Sequence, residues 1–587
     1  MDNRNLLLAV VLSGLLILGW DIGMRYFYPE AAVPPPAQTA AAGGADASVA
    51  AAPGAPAASL GGETAATGKV DLKTALASAN RVVIDTPRLA GSINLVGARI
   101  DDVVLKDYRQ TVKKDSGPVR LFAPERTPEQ YFAEFGFVTG GVRQPANALW
   151  QADGQRLTPE TPVTLTRTDA NGITYRIRFA VDKDFMITAT QSATNAGAGA
   201  AIIQPFALIK RTSANASLSQ WIAHSGPVFT ADAVANYDVA YECGWTFLSS
   251  CEDLSADKLY KVEGKADWLG FTDQYWFAAL VPGKGAAGAE FRSVGDKLFR
   301  ADVLYPAATV AAGKSVTQST RLFAGAKESA LLDTYEDSGI AQFGLAITWG
   351  WFWFFEKPFL WLLRTLNGLV GNFGVAIILM TVIVRGLMFP IAQKQFASMA
   401  AMRAVQPRMK EIQERFKDDK QRQQQEIMKL YKDEKVNPLA GCLPLVLQIP
   451  IFFALYKVLV LAIEMRHEPF VLWIKDLSAP DPAHILNLFG MLPYEVPAGF
   501  LAIGPLAVLL GITMWLTFKL NPAAMDPVQQ QVFAIMPWIL MFVMAPFAAG
   551  LLLYWVTSNI LTLAQQSYLY SKHPQLKAAA AKEKAKT

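Results

Sequence analysis

The chain has 587 residues, of which 52% are hydrophobic and 18% charged, with a mean hydropathy of +0.22. That is too apolar for an ordinary soluble protein and too mixed for one embedded in lipid throughout. The net charge of +4, from 54 basic and 50 acidic residues, gives no ground for a nucleic-acid role, and three cysteines without a CxxC pair beside four scattered histidines argue against a metal centre.

Residues 6–28, LLLAVVLSGLLILGWDIGMRYFY, form the first candidate span. Two readings compete for it. A cleaved signal peptide fits the length of the apolar run Leu6–Trp20 and the alanine-rich sequence that follows. An uncleaved anchor fits the weakly basic start, where Asp2 offsets Arg4, and the aromatic belt of Tyr26, Phe27 and Tyr28. We adopt the anchor, residues 1–28. Residues 29–68 are almost wholly Ala, Pro, Gly, Ser and Thr, cannot build a core, and predict a flexible linker.

From 69 to 335 the pattern is that of strands. In TYRIRFAVD, 174–182, Tyr175, Ile177, Phe179 and Val181 alternate with Arg176, Arg178 and Ala180, the period of a half-buried strand. VTLTRT (163–168) and FMITATQ (185–191) behave alike, and Asn171-Gly172 supplies a hairpin turn. The expectation is a large β domain of two packed sheets. Cys243 and Cys251 lie in it with seven residues between them; they form a disulfide if the domain sits outside the cytoplasm and is oxidised there, and are free thiols otherwise.

Residues 343–368 are aromatic and apolar but carry Glu356, Lys357 and Arg364, which predicts an amphipathic helix lying in the membrane interface. Five apolar spans follow, at 371–393, 439–463, 500–520, 532–547 and 550–570, forming a helical core over 371–570 and, with the anchor, six transmembrane helices. Loop 394–438 reads as a helical hairpin with eleven basic and seven acidic residues, either a solvated helix pair or a docking surface for something anionic. The tail, 571–587, is lysine-rich and could touch ribosomal RNA or anionic lipid. Because the loop at 464–499 holds only Arg466 and Lys475, the basic loop and tail belong in the cytoplasm, which places both termini inside and the β domain outside.

Arg385 interrupts the span 371–393 about eight residues from its cytoplasmic end, roughly 12 Å deep at 1.5 Å per residue. A charge there costs at least ~2.5–3.5 kcal/mol on insertion scales. It could snorkel to the surface, but the other C-terminal spans offer no Asp or Glu as a partner. Thr381 lies one turn away on the same face. Gln448 in the second of these spans, and Ser558, Asn559, Thr562, Gln565 and Gln566 in the last, fall at similar depth. Each alone suits interhelical packing. Together they predict a hydrophilic recess open to the cytoplasm. Lys457, near the outer end of its helix, is expected to reach the outer surface.

VNPLAGCLPLVLQIPIFFALYKVL (436–459), MTVIVRGLMFPIAQKQFASMAAMRAVQP (380–407), LLLYWVTSNILTLAQQ (551–566), WLGFTDQYWFAALVP (268–282) and LFAGAKE (322–328) closely resemble the YidC family of bacterial membrane protein insertases. The resemblance implies a chaperone of the inner membrane with no enzymatic reaction and no cofactor. It would receive nascent membrane proteins from the ribosome or from the Sec translocon with its SecDF accessory subunits, shelter their polar flanks in a groove, and release them into the lipid bilayer. It also implies a groove-facing role for Arg385, activity tied to Thr381 and to Tyr554 and Trp555, and a β-supersandwich for the periplasmic domain. Family members often carry tyrosine where Trp555 stands. Against a transporter stands the lack of an internal repeat or of midplane-broken helices. A carbohydrate enzyme would need a carboxylate pair that spacing alone does not assign.

Overall fold

A computed structural model describes residue 60 and residues 68–349, 352–434, 443–492, 503–520 and 527–572, with short interruptions at 114, 215, 217–222, 242–251, 255–257, 287, 296, 418 and 490. The proposed anchor, Cys243 and Cys251 lie outside the described residues. A short helix, α1 (Leu72–Leu76), is capped by Asp71, whose carboxylate accepts from Lys73 N, and leads into the β domain.

Two large antiparallel-rich sheets make that domain. One runs in the order Leu259–Lys261, Gly288–Ser293, Leu298–Leu304, Ala201–Thr212, Tyr131–Thr139, Arg99–Arg109, Leu89–Asn94, Arg81–Asp85 and Arg156–Leu157, with three further strands on its flanks. The other runs Val234–Asn236, Gly226–Ala231, Ala266–Thr272, Trp276–Pro282, Ser315–Ala326, Met186–Asn195, Ile173–Val181, Val163–Thr168 and Gln151–Ala152. The alternation that marks 174–182 has its expected cause: Tyr175, Ile177, Phe179 and Val181 point into the core, while Arg176 and Arg178 are exposed. Asn171-Gly172 turns the chain so that Thr174 pairs with Thr168 and Phe179 with Val163. The sheets meet through aromatic side chains, Phe135 against Phe179 at 5.6 Å and Phe137 against Tyr175 at 5.0 Å. Buried Gln191 crosses between them, its amide donating to Gly136 O at 2.8 Å and Phe206 O at 3.1 Å, so a polar group in the core is not left unpaired.

Helix α2 (Ser329–Asp337) closes the domain, and residues 343–347 belong to its core rather than to the interfacial helix. Phe343 packs against Phe323 and Trp268, and the Trp268 indole donates to Ala341 O at 3.1 Å. Helix α3 (Trp353–Val370), in the segment expected to lie at the membrane interface, therefore starts later than the 343–368 expected from composition. Its Leu360 and Leu363 are buried, while Trp353, Phe354, Trp361 and Leu369 project outward, the two-faced pattern of a helix at an interface.

The helical part comprises α4 (Phe373–Arg415), α5 (Lys420–Asp433), α6 (Leu443–Leu461), α7 (Pro505–Leu520), α8 (Pro527–Met544) and α9 (Ala549–Lys572). Helix α4 runs unbroken for 43 residues, so the first arm of the predicted hairpin continues the span instead of starting anew. The second arm, α5, is capped by Asp419 and packs back on it, Tyr431 Oη lying 3.2 Å from Met409 Sδ and Arg408 pairing with Glu434. Among the described residues, Phe373–Gln393 of α4 is long and apolar enough to cross a membrane, and Ile449–Leu461, Pro505–Lys519 and Ala534–Met544 are shorter apolar stretches.

The β domain rests on the end of α6. Gln274 Nε2 donates to Val460 O at 3.0 Å. The Arg466 guanidinium donates to Arg109 O at 2.8 Å and Gln110 O at 3.1 Å while lying over the Trp276 ring at 5.2 Å. Lys357 of α3 faces Asp333 of α2 at 3.6 Å.

Candidate functional site at Arg385

Helix α4 starts at Asn372, whose side chain accepts from Val375 N at 3.0 Å, satisfying one of the free donors of the first turn. Its buried stripe, Phe373, Ala376, Ile377, Met380 and Val384, recurs every three or four residues and packs into the helical core. Arg385 follows at the edge of that stripe. Its Nε donates to Ser558 Oγ on α9 at 3.0 Å, and Nη2 closes on the same oxygen. Ser558 is itself buried. The guanidinium is thus turned to a neighbouring helix, and among the described residues no carboxylate lies within ion-pair distance of it. One hydroxyl cannot replace the hydration of a guanidinium with five N–H donors. The remaining donors therefore require water or an incoming acceptor.

The other expected site residues separate into distinct environments. Thr381 is buried and spends its hydroxyl on Ile377 O at 2.6 Å, so it is satisfied within its own helix. Thr562 likewise donates to Ser558 O at 2.8 Å. Tyr554 is buried one turn from Ser558 on α9. Asn559 turns away from Arg385 and donates to Thr513 Oγ1 of α7 at 3.2 Å. Trp555 faces α6, its ring 4.9 Å from that of Phe452. The side chain of Gln448 lies outside the described residues. Gln566 Oε1 is buried without a hydrogen-bond partner among the described residues.

The polar pair in α7 escaped sequence reasoning, as did the surroundings of Glu356. Thr513 and Thr517 sit one turn apart in α7, a small polar signal inside an apolar run, and Thr513 links that helix to α9. Glu356, on the buried side of α3, lies within electrostatic reach of Lys457 of α6. Among the described residues no group of three or more His, Cys, Asp or Glu side chains is disposed to hold a metal ion.

Fold and site together define a protein in which a helical core, with one guanidinium turned to a hydroxyl of a neighbouring helix beside an apolar stretch long enough to cross a membrane, carries a large β domain. A family model described as "60Kd inner membrane protein" matches residues 365–577, and one described as "YidC periplasmic domain" matches residues 81–362. The chain is 42% identical to the membrane protein insertase YidC of Beijerinckia indica over 97% of its own length and 96% of the relative's, and 41% identical to that of Zymomonas mobilis over the same shares. A crystal structure titled "Active YidC insertase", with the first transmembrane domain resolved, covers 83% of this chain and 92% of its own at 17% identity, with a TM-score of 0.35. The chain belongs to the YidC family of membrane protein insertases.

Proposed function

We propose that this insertase accepts the polar flank of a client segment against Arg385, in a hydrated groove between α4 and α9 that opens to the cytoplasm and to lipid. The observation that carries this reading is the Arg385 guanidinium, anchored by the Ser558 hydroxyl and with no carboxylate within ion-pair distance among the described residues. A translocated tail bearing an acidic residue meets a large barrier in bare lipid. A positive, wet recess reaching part-way into the membrane shortens the crossing and draws the negative charge in. Burial of the arriving apolar helix then drives release into lipid without a nucleotide.

The same reading gives the chain six membrane spans, both termini in the cytoplasm, and the β domain in the periplasm of the inner membrane. The eleven basic residues of 394–438 support that orientation, and nascent chains would arrive on that side from ribosomes or by way of the Sec translocon and SecDF. The test is an insertion assay in proteoliposomes with clients differing only in one acidic residue of the translocated tail. Arg385→Ala is expected to lower insertion of the acidic client about tenfold, a loss of ~1.4 kcal/mol, and Arg385→Lys to stay near wild type. Equal insertion by all three forms would remove the proposed role.

A further inference from the structure

The connection between α6 and α7 carries apolar side chains on a backbone bent to display them. Leu472, Leu488 and Phe489 have φ of +56°, +50° and +61°. Bulky L-residues adopt that left-handed conformation only at a cost that glycine or asparagine avoids. These same residues are exposed, Leu472 at 83%, with Leu486 and Met491 beside them. Their mounting is rigid. Asp481, 1% exposed, accepts from the Trp473 indole at 2.9 Å, from Ala483 N at 3.1 Å and from Leu506 N in the first turn of α7 at 3.1 Å. Gly504 lets that carboxylate approach, since a Cβ there would meet it at about 2.5 Å. At the other end Asn372 donates to Phe470 O at 3.1 Å, and the bare face of Gly374 admits the Phe470 ring. The carbonyls of Leu477 and Ala479 accept from Gly550 N and Ala549 N at the start of α9.

We infer that residues 471–489, with Met491, form a fixed apolar wedge seated among the acyl chains of the outer leaflet, capping the groove on its far side. This rests on the topology proposed above. Three observations select lipid as the occupant. Helix α7 has 16 residues, about 24 Å of rise against a hydrocarbon core of about 30 Å; with Lys519 at the cytoplasmic surface, Pro505 stops short of the outer boundary, and the chain before it begins within the leaflet. The displayed side chains Leu472, Leu486, Leu488, Phe489 and Met491 are uncharged; within the same stretch Lys475 is exposed and long enough to snorkel, while half-buried Asp476 accepts from His467 N and Ser478 N. Exposed Leu369 of α3 stands three residues before Asn372, whose side chain ties the start of this stretch at Phe470, so apolar side chains are displayed on both sides of that tie.

The test uses the full chain in nanodiscs, with Cys243, Cys251 and Cys442 replaced by serine and an environment-sensitive fluorophore attached at Leu488→Cys or, separately, at Met491→Cys. Val234→Cys on the β domain gives the aqueous reference. Blue-shifted emission, quenched severalfold by lipids brominated near the head of the acyl chain and untouched by iodide, is expected at both wedge positions. Water-like emission quenched by iodide would overturn the inference. So would emission that turns apolar only when a stalled nascent chain is added, which would assign the surface to the client. Crosslinking of that nascent chain from Ser558, read in the same nanodiscs, reports the groove separately, so either idea can fail without the other.

Discussion

Ser558 meets Arg385 through two donors of one guanidinium, whereas Asn559 beside it donates to the neutral Thr513 hydroxyl. A hydrogen bond to a charged group is worth about 1.5–3 kcal/mol, and a neutral one between membrane helices averages about 0.6 kcal/mol. Ser558→Ala is therefore expected to cut insertion of acidic-tailed clients about tenfold or more, and Asn559→Leu by less than about threefold, in the proteoliposome assay. In the β domain, Lys327 is buried with Nζ donating to Thr272 Oγ1 at 3.0 Å, beside Asp273, which is already engaged by Arg211 at 2.6 Å. Burial pushes the Lys327 ammonium down to about 7, with Asp273 pulling the other way. An unfolded lysine keeps its proton to about pH 10.4. Between these values the unfolded chain binds the extra proton, so this residue's contribution to stability rises with pH through that window and is flat below it. Urea titrations of the full-length protein read by pulse proteolysis should show the wild-type midpoint gaining on that of Lys327→Met between about pH 7 and pH 9. A constant difference between the two would show that Lys327 does not titrate there.

At the scale of elements, the contacts around the end of α6, one with the β domain and one with α3, are unequal. Arg466 combines two hydrogen bonds to carbonyls with ring contact over Trp276, together about 1–3 kcal/mol. Arg364 reaches Glu464 at 3.7 Å from a side chain 37% exposed, which is worth less than about 1 kcal/mol. Hydrogen–deuterium exchange on the full chain should show Arg466→Ala speeding exchange at 109–117 and 273–276, and Arg364→Ala leaving both segments unchanged. None of this was legible in the sequence. Arg466 is separated from Arg109 by 357 residues, and no local period records such a pairing. What periodicity does record is burial within one element, which is why the strand 173–181 emerged with its inward and outward residues assigned correctly, whereas the order of strands around it did not. The start of α3 was misread for a related reason: Phe343 is as apolar as the helix that follows, and only its packing against Phe323 and Trp268 shows that it belongs to the β core.

For the molecule as a whole, the sequence pointed to Arg385 through an unpaired charge in an apolar run, and the family resemblance pointed to the same residue. Its partner could be narrowed only to one face of the last span, because the rotation of α9 against α4 is set by packing among many side chains. Ser558 takes the contact, while Thr381 and Thr562 turn to their own helices. The proposed function thus rests on one guanidinium that, among the described residues, hydrogen-bonds a single hydroxyl. The central claim is that client segments pass this guanidinium. A photocrosslinking residue placed at Ser558, compared with one at Leu387 on the outward face of α4, 77% exposed, tests it with ribosomes stalled on a membrane-protein chain. Adducts concentrated at Ser558 and shifting along the nascent chain as it lengthens are the predicted result; equal labelling at both positions, or labelling at Leu387 alone, would contradict it.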